Sequence, residues 1–171
     1  QNSELMRRIF ERRANDQSRI FMRGTFSRNG DKADETDFYE IPGEVLHLDG
    51  DKDYLEICKT TYNQLSIKAT CKLVNERKQP DVVVEYLKTY KPNILILTGH
   101  DGLLKKCKDY SKIENYRHSR YFVESVKRAR EYEPSRDNLI IIAGACQSHY
   151  EALISAGANF ASSPGRVFIH A

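Results

Sequence analysis

The sequence predicts an α/β fold, a three-layer sandwich on a mainly parallel sheet. Two observations carry this. From Glu44 onward, strand-like and helix-like hydrophobic periods alternate along the chain. Two of the strand-like runs, Ile94-Leu95-Ile96-Leu97 and Leu139-Ile140-Ile141-Ile142, are apolar without a break. Strands read that way when helices cover both faces of a parallel sheet.

The first 43 residues stand apart from this pattern. Gln1 to Met22 is rich in Arg, with Leu5/Ile9 and Met6/Phe10 at helical spacing. Arg23 to Gly43 has no sustained period and reads as a linker. The domain division expected is therefore residues 1–43, a helix and mobile linker, and residues 44–171, the α/β domain.

Val45-Leu46-His47-Leu48 is an apolar run ended by Asp49-Gly50-Asp51, a strand and then a turn. Tyr54, Leu55, Cys58, Tyr62 and Leu65 lie on one helical face. Ser66 to Leu73 alternates and reads as a strand. Val82, Val83, Tyr86, Leu87 and Tyr90 form a second helical face, stopped before Pro92. The strand at 93–98 is followed by a Lys-bearing loop to Tyr116. Tyr121, Phe122, Ser125, Val126 and Ala129 make a third helix. The strand at 138–143 runs into a helix expected over Cys146 to Ala156, capped by Gly157. Short strands are expected at 159–161 and 166–170. The topology expected is Rossmann-like and doubly wound. The chain ends inside its last strand-like run, so a native protein is expected to continue past Ala171.

Composition removes several functional classes. Of 171 residues, 40% are hydrophobic and 30% charged, as in soluble globular domains. No apolar run nears the roughly 20 residues of a membrane-spanning helix. A net charge of +3 gives no argument for nucleic acid. The four cysteines, Cys58, Cys71, Cys107 and Cys146, form no Cys-x-x-Cys pair, which excludes a zinc ribbon or thioredoxin motif. His47, His118 and His149 show no metal-ligand spacing. No metal and no cofactor are expected.

In an open parallel sheet, reactive residues gather beyond the carboxyl ends of the strands. Three such ends carry them here. One ends in Thr98-Gly99-His100-Asp101-Gly102, another in Gly144-Ala145-Cys146-Gln147-Ser148-His149, the third in Asp49-Gly50-Asp51. Cys146 is expected at the start of a helix, where the dipole favours a thiolate. A neighbouring His can take the thiol proton and later protonate a leaving amine. His149, one helical turn on, is a poor primary base. His118 is expected at the surface or as a cap, and His47 in the core.

An apolar strand ending in His and Gly, then a second ending in Ala-Cys, resembles the caspase-like cysteine peptidases. The two reactive residues are 46 apart, near the spacing of about 50 in caspases. Asp101 departs from the usual His-Gly pair, and Gly144 stands where a polar residue is commoner.

A longer resemblance is to the sporulation-specific peptidase family called YabG. It is carried by Gly43 to Asp51, by Leu97-Thr98-Gly99-His100-Asp101, and by Tyr116-Arg117-His118-Ser119. It continues through Ala143 to Glu151 and Ala156 to Pro164. The family also has N-terminal and C-terminal regions beyond this stretch. The resemblance implies a caspase-like catalytic domain and a cysteine endopeptidase that acts in sporulation. It implies cleavage after Arg of spore coat proteins and of precursors of germination proteins. Cys146 is the implied nucleophile and His100 the base and acid. Backbone donors for the oxyanion are expected from Gly99, Gly102 and Cys146. The implied location is the cytoplasm of the sporulating cell and the developing coat.

Cleavage after Arg requires an acidic pocket, because a carboxylate can hold guanidinium bidentately. Asp49 and Asp51 either fill that role or cap the following helix. Asp101 is a third candidate, for the pocket, for orienting His100, or as a local cap. Arg13, Arg19, Arg23 and Arg28 in the aperiodic arm would then invite self-cleavage. Two other functions fit the fold. One is a non-enzymatic coat scaffold. The other is an amidotransferase-like hydrolase, whose His lies downstream of the Cys.

Overall fold

The computed structural model describes residues 43–163, except 106 and 108. Residues 1–42, with the four arginines of the expected arm, and the strand expected at 166–170 lie outside the described residues.

The elements follow the alternation of the sequence. They are β1 (Val45–Asp49), α1 (Lys52–Gln64), β2 (Ala69–Leu73), α2 (Gln79–Tyr90) and β3 (Ile94–Thr98). A 3₁₀ turn (Ile113–Asn115), α3 (Ser119–Tyr132), β4 (Ile140–Ala143), α4 (Tyr150–Ser155) and β5 (Phe160–Ala161) complete them. All strand pairs are parallel, in the order β2-β1-β3-β4-β5. The chain winds outward from β1 in both directions, so the topological switch lies between β1 and β3. In such sheets a crevice opens there, past the carboxyl ends.

Period two sets the layers. Leu46, Leu48, Leu95, Leu97, Ile141 and Ala143 point to one face and are buried. Val83 and Leu87 of α2, Phe122, Val126 and Ala129 of α3, and Leu153 of α4 complete that core. The β1 residues facing the other way, Val45, His47 and Asp49, are also buried, whereas Ile94, Ile96, Ile140 and Ile142 are half-buried. Every residue of β1 is therefore buried, as a strand central to a two-sided sheet requires. At the amino edge, Arg130 of α3 donates to the carbonyls of Glu133, Ser135, Leu139 and Gly157 and to Asn159. These bonds fasten the amino edge.

Two boundaries differ from expectation. The second strand starts at Ala69, not Ser66. Ser66 closes the preceding helix with φ of 56°, and the N–H groups of Leu65, Ser66 and Ile67 bond back to Thr61, Asn63 and Tyr62. The last helix starts at Tyr150, four residues after Cys146. Side chains hold the intervening backbone instead. Ser148 Oγ accepts the N–H of Ala145 and Ser119 Oγ accepts that of His149. The dipole of a helix beginning at Cys146, expected to favour its thiolate, is thus not present.

Candidate active site

The sheet register brings the reactive residues level with one another. Leu48 pairs with Leu97, and Leu97 pairs with Ala143, on one rung. Asp51, His100 and Cys146 each lie three residues past it. Strands β3 and β4 both end in a glycine with positive φ. Gly99 has φ of 151° and Gly144 has φ of 118°. A Cβ at Gly99 would come within 2.5 Å of the Glu76 carboxylate, and one at Gly144 within 2.5 Å of the Ser162 carbonyl oxygen. Only glycine fits the turn at both exits.

His100 is held from several sides. Its Nε2 lies 2.5 Å from Asp51 Oδ2. Its backbone N–H donates to Glu76 Oε1 at 2.7 Å, and its carbonyl accepts from His118 Nδ1 at 2.6 Å. Since a carbonyl only accepts, His118 carries its proton on Nδ1. Tyr54 meets the His100 ring edge-on at 6.4 Å. The imidazole itself remains 57% exposed.

Asp51 serves twice. Its Oδ1 accepts from the N–H groups of Asp53 and Tyr54, capping α1. Its other oxygen engages His100. The Tyr54 N–H foremost, with the His100 and Asp53 bonds, holds its carboxyl below the ordinary carboxylate range, against the opposing effect of burial. The capping reading of Asp51 is thus observed, together with a contact to the imidazole.

Asp49 is buried, and its oxygens are engaged. Oδ1 accepts the Asp51 N–H at 2.7 Å and Oδ2 accepts the Thr98 hydroxyl at 2.6 Å. The Thr98 oxygen then accepts from His47 Nε2 at 2.6 Å, and Tyr62 lies 3.1 Å from His47 Nδ1. Burial pushes Asp49 upward, but bonding to His47, Thr98 and the Asp51 N–H outweighs it, so the carboxyl is held below its usual range. His47 is a core residue, as expected.

Asp101 sits between the two reactive loops. Its Oδ1 accepts the N–H groups of Gly102 and His118, both at 2.8 Å. Its Oδ2 accepts the hydroxyls of Ser119 at 2.5 Å and Ser148 at 3.0 Å. A carboxylate offers about four lone-pair sites, so all are occupied. The N–H of Gly102, expected to serve an oxyanion, donates to Asp101 here. Gln147 of the Cys loop reaches the neighbourhood of Gly102.

Cys146 is exposed, while Cys58, Cys71 and Cys107 are half-buried. Burial pushes the Cys58 and Cys71 thiols up. Among the described residues, no hydrogen-bond acceptor takes the N–H of Cys146 or Gln147. His149 caps α4, with Nδ1 accepting from Ala152 N–H and Nε2 against the Ser111 carbonyl. Both its nitrogens are in use, which disfavours His149 as the base. Among the described residues, no group of three or more His, Cys, Asp or Glu is arranged to hold a metal ion, and no helix is long and apolar enough to cross a membrane.

Sequence reasoning missed Glu76, Ser119 and Ser148. Ser119 and Ser148 lie inside the strings that carry the family resemblance. Glu76 follows the end of β2, a fourth strand end on the same edge, and that placement was the available signal.

The sequence profile of a family described as YabG peptidase U57 matches residues 1–171. The match includes the first 42 residues, which the quoted strings do not. A Bacillus subtilis protein, the sporulation-specific protease YabG, is 47% identical over 134 residues, covering 78% of this chain and 46% of its own length. The chain thus spans about half of that relative. Among solved structures, a cobalamin-binding protein from Desulfitobacterium hafniense matches with a TM-score of 0.45 and 21% identity, over 70% of this chain and 51% of that one. NtrX from Brucella abortus matches with 0.44 and 12%, over 72% and 24%. At those scores neither bears on function.

Proposed function

The chain belongs to the YabG peptidase U57 family, and on that premise we propose that it is a cysteine endopeptidase of sporulation working through Cys146 and His100. One observation carries the assignment of the pair. His100 and Cys146 stand three residues past one rung of the sheet, on loops that Asp101 and Ser148 join.

His100 accepts the Cys146 thiol proton, and the thiolate sulfur attacks the carbonyl carbon of the substrate peptide. The negative charge that develops on the carbonyl oxygen falls to the N–H groups of Cys146 and Gln147, which have no acceptor among the described residues. The C–N bond breaks, His100 returns the proton to the leaving amine, and an acyl-enzyme remains. Water, deprotonated by His100, then releases the acid and the thiol. Asp51 holds the imidazole in place through its Oδ2 contact to Nε2.

Preference for Arg before the scissile bond is part of the proposal. It is supported by the family resemblance and by the acidity of the edge. Asp49, Asp51 and Glu76 all lie beside the switch point, and their summed field attracts a guanidinium. The oxygens of Asp49 and Asp101 already have partners, so the field of the edge, rather than a free aspartate, supports the preference. Coat proteins and germination-protein precursors are the substrates proposed, with the sporulating cell and its coat as the place of action.

The test is turnover of paired fluorogenic peptides ending in Arg or Asp. The wild type is expected to cut the Arg peptide, with Cys146→Ala and His100→Ala at background. Undiminished turnover by either variant would remove the dyad. Preferred cutting of the Asp peptide would remove the Arg assignment and leave the cysteine mechanism standing.

A further inference from the structure

We infer that Asp101 is a positioning residue for the nucleophile loop, acting through two buried hydroxyls rather than on substrate. The inference rests on Cys146 and His100 being the catalytic pair.

Ser119 and Ser148 are fully buried. Each hydroxyl donates its proton to Asp101 Oδ2 and accepts one backbone N–H from the Cys146 loop. Ser148 Oγ takes the Ala145 N–H at 2.8 Å, and Ser119 Oγ takes the His149 N–H at 2.8 Å. The carboxylate therefore fixes the direction of both hydroxyls, so their lone pairs face the loop. The two N–H groups caught this way bracket Cys146 and Gln147. A further hydroxyl, Ser163, donates to the Ser148 carbonyl and closes the same turn. On its other side Asp101 Oδ1 holds Gly102 and His118, whose ring grips the His100 carbonyl. One side chain thus sets the position of both reactive loops.

The position of Asp101 explains the irregular start of α4. A helix beginning at Cys146 would need the His149 N–H for its first ladder bond, to the Ala145 carbonyl. The Ser119 hydroxyl takes that N–H instead, and among the described residues no acceptor takes the N–H of Cys146 or Gln147. Charge-assisted bonds of this kind are about twice as strong as neutral ones, which suits a loop that must keep its shape without a helix.

The closing experiment measures kcat and KM for an Arg peptide, with melting curves, in Asp101→Ala, Asp101→Asn, Ser119→Ala and Ser148→Ala. A displacement of about 1 Å in a catalytic group can cost about 100-fold in rate. Asp101→Ala is expected to lose about that much in kcat, with KM within about twofold of wild type. Each serine variant is expected to lose about tenfold, and the double serine variant to approach Asp101→Ala. Asp101→Asn retains the shape but has one acceptor oxygen, so it serves at most two of the four donors and is expected to fall between Asp101→Ala and wild type in kcat. If Asp101→Ala unfolds, the serine variants read the same two relays. A rise in KM at unchanged kcat would make Asp101 a substrate contact and overturn the inference. So would full kcat in both serine variants. Activity surviving in Cys146→Ala or His100→Ala would instead overturn the dyad itself, a separate result.

Discussion

Strands β3 and β4 deliver His100 and Cys146 by one device, an apolar strand, a glycine with positive φ, and a reactive residue three positions past a shared rung. The supports behind the two loops differ. The His100 loop is gripped by carboxylates, Asp51 at the ring and Glu76 at the backbone. The Cys146 loop is gripped by hydroxyls and main chain, through Ser148, Ser119 and the Ser162 N–H, which donates to the Ala143 carbonyl. A proton shuttle gains from neighbouring charge, because its charged form must be reached during the reaction. A nucleophile loop gains from fixed geometry and from N–H groups left uncommitted. On the proposed mechanism, the two halves of the site suit those separate demands.

The largest effect expected on the charged half is that of Asp51→Asn. Asn is as good an N-cap as Asp, so α1 keeps its start while the imidazole loses a carboxylate. We expect kcat for an Arg peptide to fall about 100-fold with little change in KM. Since Asp51 is held below the ordinary carboxylate range, it remains ionised through mildly acidic pH. A KM rise alone would instead make Asp51 the guanidinium contact that the sequence first suggested.

The two glycines compare the halves directly. At Gly144 an added methyl meets a backbone carbonyl, and at Gly99 it meets the end of a glutamate side chain. A carboxylate can give way, though only by disturbing its bond to the His100 N–H, and a carbonyl next to β5 cannot. Forcing an alanine into either conformation costs about 1–3 kcal/mol. Gly144→Ala is expected at the upper end and Gly99→Ala at the lower, read from urea midpoints. Equal losses would mean that Glu76 is as rigid as backbone, and that the comparison overstates the difference between the halves.

Much of this was legible in the sequence because it depends on local pattern. Apolar runs set the strands, and their ends placed His100, Cys146, Asp49 and Asp51 on one edge. What was not legible depends on distant partners. The start of α4 moves because Ser119, on another helix, captures the His149 N–H. Glu76 matters because two glycines, Gly50 and Gly99, leave room for its carboxylate beside two other strands. Asp101 looked like a third pocket acid, since nothing local shows that four donors converge on it. Periodicity reports which face a residue takes. Convergence of this kind needs the register.

The smallest effect concerns Asp49, beneath the charged half. Its folded carboxyl is held below the value of 3.8 taken for a free Asp. A depressed carboxylate contributes stability that is complete above its unfolded value and is lost as pH falls through the folded one. The window therefore opens near pH 4 and extends downward. Protonation would set a second proton against the Thr98 hydroxyl, which already donates to Oδ2, and would loosen the Asp51 N–H held by Oδ1. Asp49→Asn removes the titration while keeping an oxygen for one of those donors. Melting curves from pH 6 to pH 3 are expected to show wild type more stable at pH 6, with the gap to Asp49→Asn narrowing by roughly a few degrees below pH 4. A constant gap across that range would show that Asp49 contributes through shape alone, and that the charge supporting His100 resides in Asp51 and Glu76.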